Sequence, residues 1–221
     1  MAPGSKSRPL RVAVIGSGPA GFYVASNLFR QKDITVEIDL YERLPTPFGL
    51  VRAGVAPDHQ KDKTVTRAFD KVADADQFRF VGNVEFGTDV DLDTLRAHYH
   101  QVVFATGARL DNRLDIPGED LPGSYAATHF VSWYNGHPDY ADLQFDLGAE
   151  AAAVVGLGNV AVDVARMLLR SEQALRTTDM ADHAIRGLAA SGVRTVYLLG
   201  RRGLAQAAFT PAEMAELAAL E

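Results

Sequence analysis

An α/β fold made from two copies of one strand–turn–helix unit, the second copy incomplete, is what this sequence predicts. Three observations lead there. Apolar, β-branched or alanine-rich runs at residues 11–15 and 151–155 read as buried parallel strands. Each run passes at once into closely spaced glycines, and each set of glycines opens a segment with helical periodicity. A further strand-like run then ends in charged residues in both copies, but the charges have opposite sign.

The bulk properties suit such a fold and exclude others. The 221 residues are enough for one large or two small domains, and 47% hydrophobic with 23% charged residues is ordinary for a globular chain. No apolar run approaches the length of a membrane span. The basic N-terminal stretch "MAPGSKSRPLR" has no apolar core of the secretory kind, so a cytoplasmic location is the expectation. The net charge of −6 argues against broad nucleic-acid binding. With no cysteine, the chain has no disulfide, thiolate metal site or CxxC redox pair. The composition assigns no oligomeric state.

The first unit is carried by "RVAVIGSGPAGFYVASNLF". Gly16, Gly18 and Gly21 follow the strand in G-x-G-x-x-G spacing. Gly16 permits the tight turn, Gly18 lets a pyrophosphate approach the backbone, and Gly21 allows close helix–strand packing; the helix N-terminus faces the phosphate charge. A second strand over residues 35–42 ends at Glu42, 21 residues past Gly21, where a carboxylate can bind a ribose hydroxyl pair. Strand, turn, helix, strand and terminal acid in register predict a Rossmann-like dinucleotide-binding unit.

The second unit repeats the pattern in "AAAVVGLGNVAVDVARMLL". Gly156-Leu157-Gly158-Asn159-Val160-Ala161 forms the turn, with Ala161 small enough to replace the third glycine. The helix is predicted from Asn159 to about Leu169, with Val160, Val164 and Leu168 on its apolar face. A further helix is expected near residues 181–190. The strand "RTVYLLG" then delivers the chain to Arg201 and Arg202, at the position matching Glu42. A carboxylate favours a free 2′-hydroxyl and repels a 2′-phosphate, whereas guanidinium forks favour the phosphate. The first unit therefore suits FAD and the second NADP(H), and one chain holding both implies hydride transfer between them. The expected division is an FAD-binding unit over residues 1–107, a connection over 108–150 and a partial NADP-binding unit over 151–221. The polar, Gly- and Pro-punctuated 109–123 segment belongs to that connection, and Trp133 and Tyr134 are expected to be packing residues.

These motifs resemble the adrenodoxin-reductase-type ferredoxin–NADP⁺ reductases. "VIGSGPAGFY", "ERLPTPFGLVRAGVAPDH", "VVFATGA", "GLGNVAVDVAR" and "GRRGLAQAAFTPAEM" carry the resemblance from about residue 11 to the end. It implies an FAD-containing oxidoreductase that passes electrons between NADPH and a ferredoxin-like one-electron carrier. It also implies that Ala20 lies in the FAD phosphate turn, Leu50 lines the flavin side, and Val84 holds the adenine end through its backbone. Leu157, Gly158, Asn159 and Val160 would form the NADP pyrophosphate turn, with Arg201 and Arg202 at the 2′-phosphate. Glu213 resembles a glutamate that approaches NADP, and His59 a histidine near the flavin; these two are the catalytic candidates. Leu204 stands where many relatives have proline. Docking in this family looks electrostatic, but no lysine or arginine follows Arg202, so the docking surface is not identified.

Family members run on for about as many residues again, so the chain is expected to be the N-terminal part of a reductase, poorly active in isolation. Two other readings stay open. One is a flavoprotein like the glutamate-synthase small subunit, whose usual iron–sulfur cysteines are missing. The other is a non-catalytic module that senses NADP(H).

Overall fold

The computed structural model describes residues 3–108 and 111–220, apart from the side chain of Leu204; Arg109 and Leu110 of the expected connection lie outside the described residues. The chain divides into two compact units, Met1–Val55 with Lys61–Arg109 and Ala56–Gln60 with Leu110–Glu221.

The first unit runs β1 (Leu10–Ile15), α1 (Pro19–Phe29), β2 (Val36–Tyr41), α2 (Leu50–Ala53), α3 (Gln60–Lys63, whose first residue groups with the second unit), α4 (Thr66–Ala73), β3 (Phe78–Val81), α5 (Leu92–His98) and β4 (Gln101–Phe104). Its sheet has the order β3-β2-β1-β4 and every pairing is parallel. β1 is central and closely buried because each of its faces meets an apolar layer. Val12 and Val14 pack with Ala25 of α1 and with Val36, Ile38 and Leu40 of β2, whereas Ala13 and Ile15 face Leu95 of α5. β2 alternates buried Val36, Ile38 and Leu40 with Glu37, Asp39 and Tyr41. Asp39 stands opposite Arg79 in the register and is held by its guanidinium through two bonds of 2.9 and 2.5 Å. Under α1, Phe22 stacks on Phe69 of α4 with centroids 4.9 Å apart. Burial of rings of this kind contributes about 1.5–3 kcal/mol each.

The second unit contains α6 (Ala127–Tyr134), β5 (Ala151–Val155), α7 (Asn159–Leu169), α8 (Glu172–Leu175), α9 (Asp182–Ala189), β6 (Thr195–Leu199) and α10 (Pro211–Ala218). β5 and β6 pair in parallel, Ala151 with Thr195 through Val155 with Leu199. One face of this ribbon shows Ala153, Val155, Tyr197 and Leu199 to the outside, while Val154 on the other packs against the core. That core joins Phe130, Trp133 and Tyr134 of α6 with Val164 and Met167 of α7 and Ala184, Ile185 and Leu188 of α9. Trp133 and Tyr134 are thus packing residues, as their apolar setting suggested. The apolar face expected for α7 needs one correction. Val160 is 51% exposed, because it lies at the open mouth of the glycine turn, and burial begins at Ala161 and runs to Met167.

Candidate functional site

The first glycine turn joins β1 to α1. Gly16 has φ +107°, and a Cβ there would run into the backbone of Ala105. A Cβ on Gly21 would run into the Gly16 carbonyl and press on Leu40. No side chain larger than hydrogen fits either place. Gly18, which caps α1 just before Pro19, has nothing within 4 Å of where its Cβ would stand. The backbone at the N-terminus of an 11-residue helix is therefore open to an approaching group. Ala20, in the first turn of α1, is exposed.

Glu42, one residue beyond β2, reaches this turn. Its carboxylate accepts bonds from the Ser17 N–H (3.1 Å) and hydroxyl (2.6 Å) on one oxygen and from the Leu44 N–H (3.1 Å) on the other. A carboxylate offers about four acceptor sites, so capacity for a hydroxyl remains. Val84 lies beside Glu42 and donates its N–H to the Glu42 carbonyl (3.0 Å). Leu50, 63% exposed, opens α2 on a loop pinned to the turn by the Phe48 N–H to Ser17 carbonyl bond of 3.0 Å. The structure thus gathers Gly16, Gly18, Ala20, Gly21, Glu42, Leu50 and Val84 around one end of one parallel sheet.

In the second unit Gly156, Leu157, Gly158 and Asn159 join β5 to α7, and a Cβ on Gly158 would again meet nothing within 4 Å. The Gly156 N–H donates to the Leu199 carbonyl (2.8 Å), so β6 ends beside the turn and Arg201 and Arg202 leave from there. Both are exposed, and neither makes an ion pair with a described residue. The chain then folds back. Ala208 and Phe209 donate their N–H groups to the Leu157 carbonyl (2.8 and 3.0 Å), and the Thr210 N–H donates to Asn159 Oδ1 (2.9 Å). These bonds place the start of α10 against the glycine turn. Thr210 caps that helix by accepting from the Glu213 N–H.

Glu213 is thereby brought to His59, whose Nδ1 lies 3.7 Å from its carboxylate. Sequence reasoning missed what surrounds the pair. Arg166 on α7 is fully buried, and its guanidinium donates to Asp58 through two bonds (2.7 and 3.1 Å), to Asp163 (2.7 Å) and to Glu213 (3.0 Å). Glu216, one turn after Glu213, lies 2.6 Å from His59 Nε2. The only local signal was Asp163 and Arg166 three apart within an apolar helix, spacing that puts both on one face.

Burial opposes the charge on Asp58, but the Arg166 fork and the charges of Arg166 and Arg170 outweigh it and hold that carboxyl below its usual range. Burial pushes Asp163 up to about 6 against the pull of Arg166, with the Glu213 charge adding to the rise. For His59, burial and Arg166 favour the neutral ring, but the bond to Glu216 and the charges of Asp163 and Asp58 prevail, and its pKa is raised. His59, Glu213 and Glu216 also bring three ligand-type atoms within 4.8 Å of one another. A metal ion there would meet the Arg166 guanidinium, which is 2.8 Å from the same imidazole nitrogen, so the cluster suits protons better than cations.

Known proteins share this architecture. Residues 10–191 match the pyridine nucleotide-disulphide oxidoreductase family. The mitochondrial NADPH:adrenodoxin oxidoreductase of Arabidopsis thaliana is 51% identical over 214 residues, 96% of this chain and 44% of that protein. NADPH-ferredoxin reductase FprA of Mycobacterium tuberculosis is 49% identical over 218 residues, 97% of this chain and 48% of that one. The solved structure of M. tuberculosis FprA in complex with NADPH superposes with a TM-score of 0.93 at 48% identity, over 97% of this chain and 48% of the other. The chain spans about half the length of the curated relatives it matches. It belongs to the pyridine nucleotide-disulphide oxidoreductase family, as a homologue of the adrenodoxin and FprA-type ferredoxin–NADP reductases.

Proposed function

We propose that the protein is an FAD-dependent oxidoreductase that moves electrons between NADPH and a ferredoxin-like one-electron carrier. The observation that carries this reading is the contrast between the two glycine turns: Glu42 stands at the first, and Arg201 with Arg202 leaves the strand beside the second. Residues 1–107 would hold FAD, with the diphosphate over Gly18 and Ala20, the ribose at Glu42 and the adenine beside Val84. Because the Val84 N–H is already committed to Glu42, its carbonyl is the backbone group left to meet a ligand. Residues 151–221 would hold NADP(H), with the diphosphate over Leu157, Gly158, Asn159 and Val160 and the 2′-phosphate between the two guanidinium groups; residues 108–150 would connect the two, with α6 packed into the core of the second. The openness at Gly18 and Gly158 fits both assignments. Glu213 is assigned to the approach of NADP and His59 to the flavin side, as the catalytic pair. With no cysteine the chain has no thiol pair of its own for disulfide chemistry.

When bound, FAD supplies the conversion between a hydride pair and single electrons, so each NADPH oxidised serves two carrier molecules and frees one proton. The chain's own part is to bind, orient and exclude wrong coenzymes. A cytoplasmic setting is part of this proposal; among the described residues no helix is long and apolar enough to cross a membrane.

Two measurements test the reading. The purified protein should show flavin absorbance near one FAD per chain, bleached by NADPH without oxygen; a colourless protein refutes it. Replacing Arg201 and Arg202 with alanine should weaken NADPH binding about 10- to 100-fold, since a hydrogen bond to a charged group is worth about 1.5–3 kcal/mol, and leave NADH binding unchanged. Equal loss for both coenzymes, or none, refutes the assignment of the arginines.

A further inference from the structure

Among the described residues, two buried polar side-chain atoms of the second unit have no hydrogen-bond partner: the Tyr134 hydroxyl and Arg170 Nε. Such orphans are rare in folded proteins, because each pays for the water it has lost and gains nothing in return. Both belong to one neighbourhood. Tyr134, fully buried at the end of α6, packs with Val164 and Met167 of α7, and its phenol feels the charges of Asp163, Arg166 and Asp58. Arg170 is the residue that follows α7, and its Nη2 stands 3.4 Å from Asp58 Oδ2. Burial raises the phenol pKa well past its ordinary value, with the Asp163 charge adding to the rise and Arg166 opposing it. Tyr134 is therefore a hydroxyl that can donate one hydrogen bond and accept others, whereas Arg170 Nε–H can only donate.

We propose that one internal water molecule bridges the Tyr134 hydroxyl, Arg170 Nε–H and the Asp58 carboxylate, as a fixed hydration site beside the Arg166 cluster. The chemistry of the three groups selects the ligand. It must accept from Nε–H, bond to a hydroxyl and donate to a carboxylate, and water does all three. An anion would be repelled by Asp58 and a cation by Arg170, while an apolar group would leave both orphans as they are. Asp58 has room for it: Arg166 takes one bond on each carboxylate oxygen, at 2.7 and 3.1 Å, and a carboxylate offers about four acceptor sites. Three partners is also the usual number for a buried water. A single held water of this kind differs from bulk solvent, which the burial of Asp58 keeps out. None of its three ligands belongs to a glycine turn, so the site stands whether or not the coenzyme reading above does.

The test joins a high-resolution crystal structure of the full 221-residue chain to thermal melts of Tyr134→Phe, Arg170→Lys and the double variant. The expected density is one water within hydrogen-bonding distance of Tyr134 Oη, Arg170 Nε and Asp58. No density there, or separate waters on the phenol and on Nε, overturns the proposal. The melts add an independent sign. A bridged hydroxyl contributes a hydrogen bond, so Tyr134→Phe should lower the melting temperature by about 1–6 °C. A true orphan would do the reverse, because deleting it removes an uncompensated desolvation cost. Arg170→Lys keeps a cation beside Asp58 but has no Nε–H, and it should melt lower as well. Because both changes act on one water, the double variant should lose less than their sum. A Tyr134→Phe variant that melts at or above wild type, or strictly additive losses, overturns the proposal. Should a variant fail to fold, the wild-type density alone decides.

Discussion

Replacing Arg166 with methionine keeps the apolar stem inside the second unit and removes the cation from the centre of the cluster. Asp58 loses two bonds, at 2.7 and 3.1 Å, while Asp163 and Glu213 lose one each, at 2.7 and 3.0 Å. Asp58, Asp163 and Glu213 have side chains only 7%, 11% and 11% exposed, so water cannot replace the guanidinium. Removing one partner of a buried ion pair costs about 3–5 kcal/mol, because the stranded charges must be neutralised or the site must open. For a chain of this size about 1 kcal/mol corresponds to 2–4 °C, so a fall in melting temperature of about 6–20 °C is expected at pH 7. The assay is built in: Trp133 is the only tryptophan and lies in the core shared by α6, α7 and α9, so its fluorescence follows this unit. Lysine at 166 keeps the charge but not the fork and should fall between methionine and wild type. Methionine combined with Asp58→Asn should cost less than the sum of the two changes, since the two groups share one interaction. A methionine variant within about 1 kcal/mol of wild type would refute the view that this guanidinium holds α7, the 56–60 turn and α10 together.

Asp163 keeps its proton up to about pH 6 in the folded chain against 3.8 in a free carboxyl, so the folded state binds more protons between those values and stability falls as pH rises through that window. Asp163→Asn should remove that slope; melts from pH 4 to 7 check it, and a wild-type slope left intact in the variant contradicts the burial of that acid. The raised His59 pKa acts with the same sign, stabilising at and below the ordinary histidine value and fading as pH rises through the folded one, while lowered Asp58 contributes above pH 3.8 and is lost on acidification. Gly21→Val places two methyl groups against the Gly16 carbonyl and Leu40, and should cost about 2 kcal/mol or more by circular-dichroism melting; a neutral effect would mean that α1 packs less closely on β1 than described.

The parts of the fold governed by local spacing were legible in the sequence. β5, α7 and α9 lie within a few residues of where periodicity put them, and β1, α1 and β2 follow the first glycine signature. β3, α4 and α5 were not anticipated. β3 is a four-residue edge strand whose "FRFV" gives almost no period to read, and α4 is a charged helix with Phe69 as its one buried residue. α6 was also missed; it is buried continuously from Phe130 to Tyr134, Ser132 included, and so carries no helical stripe. His59 and Glu213 came only from family resemblance, and Asp58, Asp163, Arg166 and Glu216 came from neither route. The reason is distance along the chain: the Asp58–Arg166 bond joins residues 108 apart, and no local pattern records such a partner.

The segment from Arg201 to Phe209 is an arch with both feet on the same stone. One foot is the Gly156 N–H on the Leu199 carbonyl, and the other is the trio of bonds that Leu157 and Asn159 receive from Ala208, Phe209 and Thr210. Residues added or removed at the crown would carry the two arginines elsewhere while the springing points stayed put. On the coenzyme role proposed above for the arginines, preference would then drift, in evolution or by engineering, without disturbing the acids that α10 presents to His59.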